Sequence, residues 1–459
     1  IPEKARAEEL LNYVRERVPL DIETGTRMTG NPLMLSMIIS LFESAGGMAM
    51  PDSLCGLYAK ASAVMLERDI GDPEAEVPKT VAASAVPQLT ALLEAIFFRA
   101  HSAQRRMIEE QDVEAAALEI GAAEELSSID WPHYKGRVRV GQVVKLLRGI
   151  YSGKNGVLTA DARGTLINGK EPRNPFKVTF PDKSNSGWVR DSDFLSSGLE
   201  RTPYEARYGN EARRKAMRGA VEKLSDELQE AIKAVRGSVA RDQLPLLTLL
   251  QSEPLLMQSS HLSFQEFYCA RAIHKGMVLP GEPPWRWSAW WANCLRLGIE
   301  LGQGFGEGLM RAAGAKGQLN LFGQIGGHRP TALAAVAELM LGLHTIDLSQ
   351  NGITRSEVHA IAKATKESRT LTELSLAKNP IGDEGAAAFS AVLGECKLTN
   401  LNFFCTGMKE EGARAFTAAL VGAPSLTRLN LQYNALRADS KKALELANKS
   451  RTKPLFLVI

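Results

Sequence analysis

Apolar positions recur at a near-fixed period toward the C-terminus. Residues 343–351 read LHTIDLSQN, 371–379 LTELSLAKN, 398–406 LTNLNFFCT and 426–434 LTRLNLQYN, with starts 28, 27 and 28 residues apart. Leu, Leu or Ile, and Leu or Phe at offsets 0, 3 and 5 predict a short strand whose apolar side chains turn inward. Asn at offset 8, replaced by Thr406 in the third copy, is placed to bond the backbone of the following turn. Gly385 and Gly412 recur at offset 14, just ahead of the helical runs AAAFSAVL and ARAFTAAL. A unit this small cannot bury its apolar face alone, so the pattern predicts a stacked solenoid. Such stacks present a surface to another macromolecule, which points to binding before catalysis.

Upstream the period becomes that of helices. Residues 1–130 read as helical. In Gly30-Asn31-Pro32-Leu33 the Asn can cap free N–H groups and the Pro is preset for a first turn. The stretch LMLSMIISLF that follows is apolar nearly all round, which predicts a buried helix. Further helices are expected over 58–69, 86–106 and 108–120, the last with an acidic first turn. After Trp131-Pro132 the composition changes. Residues 134–194 are rich in Gly, Val, Lys and Arg, and glycines at 141, 149, 153 and 156 separate short apolar strands. A charged amphipathic helix returns over 204–239, with Met217, Val221, Leu224, Leu228, Ile232 and Val235 on one face. Residues 244–300 are α-rich, and a Gly/Ala-rich joint spans 301–330.

The chain has 459 residues, enough for two to four domains, with ordinary hydrophobic (44%) and charged (23%) fractions. No apolar run reaches the roughly 18 residues of a membrane span, and the N-terminal residues show no signal-peptide pattern. The start at IPEKARAEELL suggests a fragment or processed product. Cys55, Cys269, Cys294, Cys396 and Cys405 are odd in number and lack CxxC spacing, which fits a reducing, cytoplasmic setting and no structural zinc.

The repeat period and its helices resemble leucine-rich repeats of the ribonuclease-inhibitor type. A second motif, SSHLSFQEFYCARAI at 259–273, contains Ser263 and Glu266 in an S-x-x-E capping box, which predicts a helix start near Phe264. His261 stands just before that start, where anions bind readily. These residues resemble the segment closing the winged-helix region of NACHT-type NTPase receptors. TGNPLMLSMI at 29–38 resembles the same family's adenine-contacting segment. The resemblance implies a NOD-like-receptor order in which Pro32 lies against adenine and His261 bonds the diphosphate of ADP or ATP in the intact protein. No GxxxxGK[ST] loop and no strand ending in paired acids is present, and GIYSGKN at 149–155 lacks both spacing and Ser/Thr. The chain itself is therefore expected to hold no cofactor and to hydrolyse no ATP.

The segment over 134–194 resembles a KOW motif in an SH3-like β-barrel. It carries 12 Lys/Arg against five acids, more positive than the +3 of the whole chain. Arg137, Arg139, Lys145, Arg148 and Lys154 flank its glycine-rich turns, with aromatics Tyr151 and Trp188, and are candidates for RNA or DNA backbones. Val143, Val157, Val178 and Phe180 are its expected core. Protein contact or a spacer role remain open for it.

PPWRWSAWWANCLRLG at 283–298 holds four tryptophans, of which Trp287, Trp290 and Trp291 share a helical face and are expected in a core. The seven histidines are dispersed, without metal or triad spacing.

The expected fold is multidomain and mainly α: a NACHT-associated region with helical domain over 1–130, an inserted SH3-like barrel over 134–195, an amphipathic helix with the winged-helix end and a helical linker over 200–340, and an α/β leucine-rich-repeat solenoid over 341–459. The expected function is the switch and sensing portion of a NOD-like-receptor-like signalling protein, which takes a protein partner on its repeats and self-associates when intact. The alternative is a non-enzymatic scaffold or RNA-associated adaptor acting through the basic barrel.

Overall fold

The computed structural model describes residues 3–16, 18, 35, 38, 39, 41, 42, 51, 53–70, 79–121, strands within 143–196, and 219–459 apart from 242, 243, 245, 280 and 303. Contacts divide the chain into one unit of Ile1–Asp130, Arg201–Ala272 and Arg296–Gly302, and another of Trp131–Glu200, Ile273–Leu295 and Gln303–Ile459. The described chain is mainly helical, with short strands.

In the first unit the helix Lys79–Ser102 turns Leu92, Leu93, Ile96 and Phe97 into the core. Helix Leu54–Ile70 places Tyr58 edge-on to Phe264 at 5.5 Å and stacked on Phe267 at 5.7 Å. The helix expected over 108–120 is divided. Met107–Glu109 is a strand and the helix is Glu110–Gly121. β-Branched Ile108 is fully buried opposite Met257 in the sheet register, an environment that favours strand. Asp112 then caps the helix from within its first turn, accepting the Glu109 N–H at 2.8 Å while Arg105 holds its other oxygen at 2.6 Å.

The amphipathic helix expected over 204–239 is also broken. Its described part is helical at 219–221, turns at 222–225 and resumes as Asp226–Ala240, whose Leu228, Ile232 and Val235 are one buried face; Leu224, in the turn, is buried too. Arg236 joins this helix to Glu110 at 3.0 Å and Glu114 at 3.1 Å. Strands Leu247–Gln251 and Leu256–Ser259 form a hairpin whose second strand pairs with Met107–Glu109, all antiparallel. Of the apolar stretch at 33–42, Ile38 and Leu41 are buried but Leu35 and Ile39 are exposed, because positions four apart share a helical face that points outward here.

In the second unit the strands within 143–196 pair antiparallel in the order Asn174–Thr179, Arg163–Glu171, Val143–Leu146, Phe194–Ser196, with Ile150–Ser152 and Gly156–Leu158 as a separate hairpin. Among the described residues this sheet has two open edges and does not close, so the expected barrel is not seen. Val143, Val157 and Val178 lie on its strands; Phe180 lies outside the described residues.

The C-terminal repeats form a six-stranded parallel sheet of Gln318–Asn320, Thr345–Asp347, Glu373–Ser375, Asn400–Asn402, Arg428–Asn430 and Phe456–Val458. The period legible over four strands thus continues by one strand at each end. Strand centres Leu319, Ile346, Leu374, Leu401 and Leu429 are buried, each contributing about 1.5–3 kcal/mol. Helices Arg329–Met340, Val358–Glu367, Gly382–Val392, Glu410–Leu420 and Ala438–Lys449 return the chain between them. Phe403, at the offset held by Leu elsewhere, packs edge-to-face between Phe389 at 5.2 Å and Phe416 at 5.3 Å. Gly412 recurs for want of room, since a Cβ there would lie 2.8 Å from that of Ala386.

The tryptophan segment is not one helix. Pro283 and Pro284 open a 3₁₀ turn at Pro284–Arg286, and a second at Ala289–Trp291 follows. Trp287 and Trp291 stack with centroids 4.3 Å apart and are buried, while Trp290 is half-buried.

Candidate functional site

Parallel, in-register pairing turns the strand positions of the repeats into two straight rows. Gln318, Thr345, Glu373, Asn400, Arg428 and Phe456 make one; Asn320, Asp347, Ser375, Asn402, Asn430 and Val458 make the other. Because side chains alternate along a strand, both rows stand on the face opposite the buried strand centres. A shallow hollow of about 410 Å³ elsewhere in the unit lies between Arg286 and Gly327. The hollow over the rows, about 360 Å³, is lined by Asp347, Glu373, Ser375, Asn402 and Arg428 among others.

The second row is held by its own hydrogen bonds. Asn402 Nδ2 donates to Ser375 Oγ at 3.0 Å, Ser375 and Ser349 hydroxyls lie 2.8 Å apart, and Ser349 Oγ donates to Asp347 Oδ1 at 2.5 Å. The row also starts four of the turns. Oδ1 of Asn320, Asp347, Asn402 and Asn430 accepts the N–H two residues on, at 2.9 to 3.1 Å. These Asx turns were legible as Asn/Asp at offset 4, a signal the offset-8 Asn overshadowed. Each turn then passes through one left-handed residue, Gly323, Gln350, Lys378, Cys405 or Tyr433.

The offset-8 residues work inside. Asn351, Asn379 and Asn434 are ladder rungs: each side-chain amide donates to carbonyls of its own and the preceding unit, and each Oδ1 accepts N–H groups of the preceding unit. Apolar side chains gather at one end of the exposed face. Tyr433 is 77% exposed and lies 4.8 Å from Phe404, and Phe456 is 64% exposed beneath the Arg428 guanidinium at 5.3 Å. Exposed aromatics beside fixed polar groups are the composition of a protein-binding surface.

His261 lies at the start of the helix Leu262–His274, which begins two residues earlier than expected. Ser263 is therefore inside the first turn, and its N–H donates to His261 Nδ1 at 3.3 Å with its hydroxyl 3.0 Å from the same nitrogen. Burial, and secondarily the positive charge of Arg106, hold this imidazole below its usual pKa. A neutral ring that accepts at Nδ1 carries its proton on Nε2. Pro32, Arg137, Arg139, Arg148 and Lys154 lie outside the described residues. Lys145 lies on Val143–Leu146, opposite Arg163 and Leu195 in the sheet register.

A family described as Leucine Rich repeat matches residues 367–390. Those residues run from the end of one repeat helix through the strand Glu373–Ser375 into the next helix. The segment is a leucine-rich repeat. The solved structure Leiomodin-1 Actin-Binding Site 2 (ABS2) is similar at 21% identity over 28% of this chain and 75% of its own, with a TM-score of 0.26. Leucine-rich repeats suggest a protein-interaction role. Among the described residues no helix is long and apolar enough to cross a membrane, and all five cysteines are free thiols, Cys405 alone being exposed.

Proposed function

We propose that the chain binds a protein partner on the exposed strand rows of its leucine-rich repeats. The observation that carries this reading is the fixed polar row of Asp347, Ser375 and Asn402, tied together through buried Ser349, beside exposed Tyr433 and Phe456. Ordering these side chains in advance lowers the entropy lost on association. A photo-crosslinker placed at Gln318 on the same face tests it. One defined protein should be captured, its capture abolished by Asn402→Arg and retained with Lys363→Glu on a repeat helix. Equal capture by both variants would overturn the reading.

In its finer form, the chain is the sensing and switch part of a cytoplasmic NOD-like-receptor-like protein that self-associates when intact. It holds no cofactor and has no ATPase activity by itself; ADP or ATP binds in the longer protein. Support comes from the three-stranded antiparallel sheet of Met107–Glu109, Leu256–Ser259 and Leu247–Gln251 beside His261, and from His261 itself, whose Nε2–H is the donor a diphosphate needs. Nucleotide state would then bias a closed and an open form. In the longer protein, His261→Ala should lower ADP retention and raise basal assembly. Unchanged nucleotide content and oligomer size would count against it.

A further inference from the structure

The first row of the repeat sheet reads, strand by strand, Thr345, Glu373, Asn400, Arg428, Phe456. Glu373, Arg428 and Phe456 are exposed and Asn400 is half-buried. Among the described residues no ion pair neutralises Glu373 or Arg428. Asp347, one strand before Glu373 in the adjacent row, adds a second carboxylate at the acidic end. Arg428 lies over the Phe456 ring, so its charge and the exposed aromatic form one edge.

These positions have a fixed metric. Adjacent strands lie about 4.8 Å apart, which puts the stem of Arg428 about 10 Å from that of Glu373 and Phe456 about 5 Å beyond. An extended polypeptide advances about 3.3 Å per residue. A segment lying across the strands therefore covers Glu373 to Arg428 in about three residues and reaches Phe456 in one or two more.

Resting on the proposed partner-binding role, we propose that the occupant is an extended peptide with a Lys or Arg about three residues from an Asp or Glu. An apolar residue adjoins the acidic one. The basic side chain meets Glu373 and Asp347, the carboxylate meets Arg428, and the apolar side chain covers Phe456. The polar second row fixes the peptide's rotation by offering Ser375 and Asn402 as hydrogen-bonding partners. The order matters more than the net charge. A peptide with its apolar residue next to the base sets a carboxylate against Glu373 or leaves Phe456 uncovered, so like-charge contact and lost burial both oppose it.

The test selects short random peptides displayed on phage against the full chain and against the double charge reversal Glu373→Arg with Arg428→Glu. Both positions are exposed, and circular dichroism checks that the fold is kept. The wild type should enrich peptides whose apolar residue neighbours the acid. The reversed chain should enrich peptides whose apolar residue neighbours the base, and this holds whichever way the peptide runs. Arg428→Glu alone should weaken a wild-type-selected peptide by about tenfold or more. Enrichment that is lost with Asn402→Arg but shows no charge order, or the same order in both chains, overturns this inference and leaves the partner-binding face standing. Absence of any enrichment sensitive to Asn402→Arg overturns both.

Discussion

Asn379 Oδ1 accepts the backbone N–H of Asn351 at 3.0 Å, one repeat away, and that of Ile353 at the same distance. Its amide donates to the carbonyls of Leu348 and Leu376, both at 2.9 Å. One buried side chain thus satisfies four backbone groups from two units. Asn379→Leu should leave them unpaired and cost about 3–5 kcal/mol, at about 1 kcal/mol or more per lost bond. Thr406 occupies the equivalent place and serves fewer groups, its one hydroxyl proton shared between Asn434 Oδ1 at 3.0 Å and Phe403 C=O at 3.2 Å. Thr406→Asn should raise stability by about 1 kcal/mol. Urea unfolding of both variants measures the pair; a neutral Asn379→Leu would mean the rungs do not hold the stack.

Gly327 is the tightest backbone approach in the segment joining the tryptophans to the repeats. Its φ is +68°, and a Cβ there would lie 2.1 Å from the Arg286 carbonyl and 2.5 Å from that of Trp287. Flanking hydrogen bonds, Gly326 N–H to Trp285 C=O at 3.0 Å and His328 N–H to Trp287 C=O at 2.8 Å, hold the two strands of chain at that distance. Gly327→Ala should cost more than about 2 kcal/mol, combining left-handed strain with a clash that only backbone movement relieves. Near-ultraviolet circular dichroism should change too, because the Trp287–Trp291 stack is anchored there. Gly352→Ala, at similar φ but in open space, should cost only the left-handed strain of about 1–2 kcal/mol.

What the sequence made legible is what repeats or alternates. The strand centres, the offset-8 rungs and the glycine at offset 14 all recur, and period alone locates them. The first strand, Gln318–Asn320, was hidden because Gly317 and Gly323 flank it and the composition reads as a joint. The last, Phe456–Val458, was hidden because Pro454 stands at offset 0, where the four periodic units carry Leu. Ile108 and Glu109 read as the start of a helix because the short strand Met107–Glu109 carries no pattern of its own, and only the distant Leu256–Ser259 makes it a strand. The candidate binding face was the least legible part. Glu373, Arg428 and Phe456 look like unrelated surface residues until the parallel register lines them up. His261 was located by motif, but its partner at Nδ1 depends on a helix start two residues earlier than the capping box suggested.

His101 makes the first unit sensitive to acid. It is fully buried on the helix Lys79–Ser102, and burial lowers its pKa to about 3. In the unfolded chain the same imidazole titrates near 6.5. The folded-state value is depressed, so the unfolded chain binds more protons below pH 6.5. This contribution to stability is complete above about pH 6.5 and is lost progressively as pH falls toward 3. Between pH 7.5 and pH 5 the loss should be about 2 kcal/mol. Unfolding midpoints at the two pH values, compared between wild type and His101→Gln, isolate the effect from that of the carboxylates. Equal pH dependence in the two proteins would show that His101 is not the titrating group.

Arg451 closes the final repeat without an acidic partner among the described residues. Its guanidinium is buried and donates to the carbonyls of Leu420 and, at 2.7 Å, Leu426, with Nε reaching the Lys453 carbonyl at 3.2 Å. Leu420 ends the helix Glu410–Leu420, so Arg451 supplies donors to a helix end whose last carbonyls have no intrahelical partner. A planar fork can serve three carbonyls at once, whereas a lysine ammonium is a single point at the end of a flexible stem. Arg451→Lys should therefore destabilise by about 1–2 kcal/mol and Arg451→Ala by about 2–4 kcal/mol, each hydrogen bond to a charged donor being worth about 1.5–3 kcal/mol. Amide hydrogen exchange should localise the loss to 410–459 before it reaches the earlier repeats, because each unit touches only its neighbours. Uniform loss of protection across all six strands would show instead that the sheet opens as one body, and that Arg451 is not a local closure.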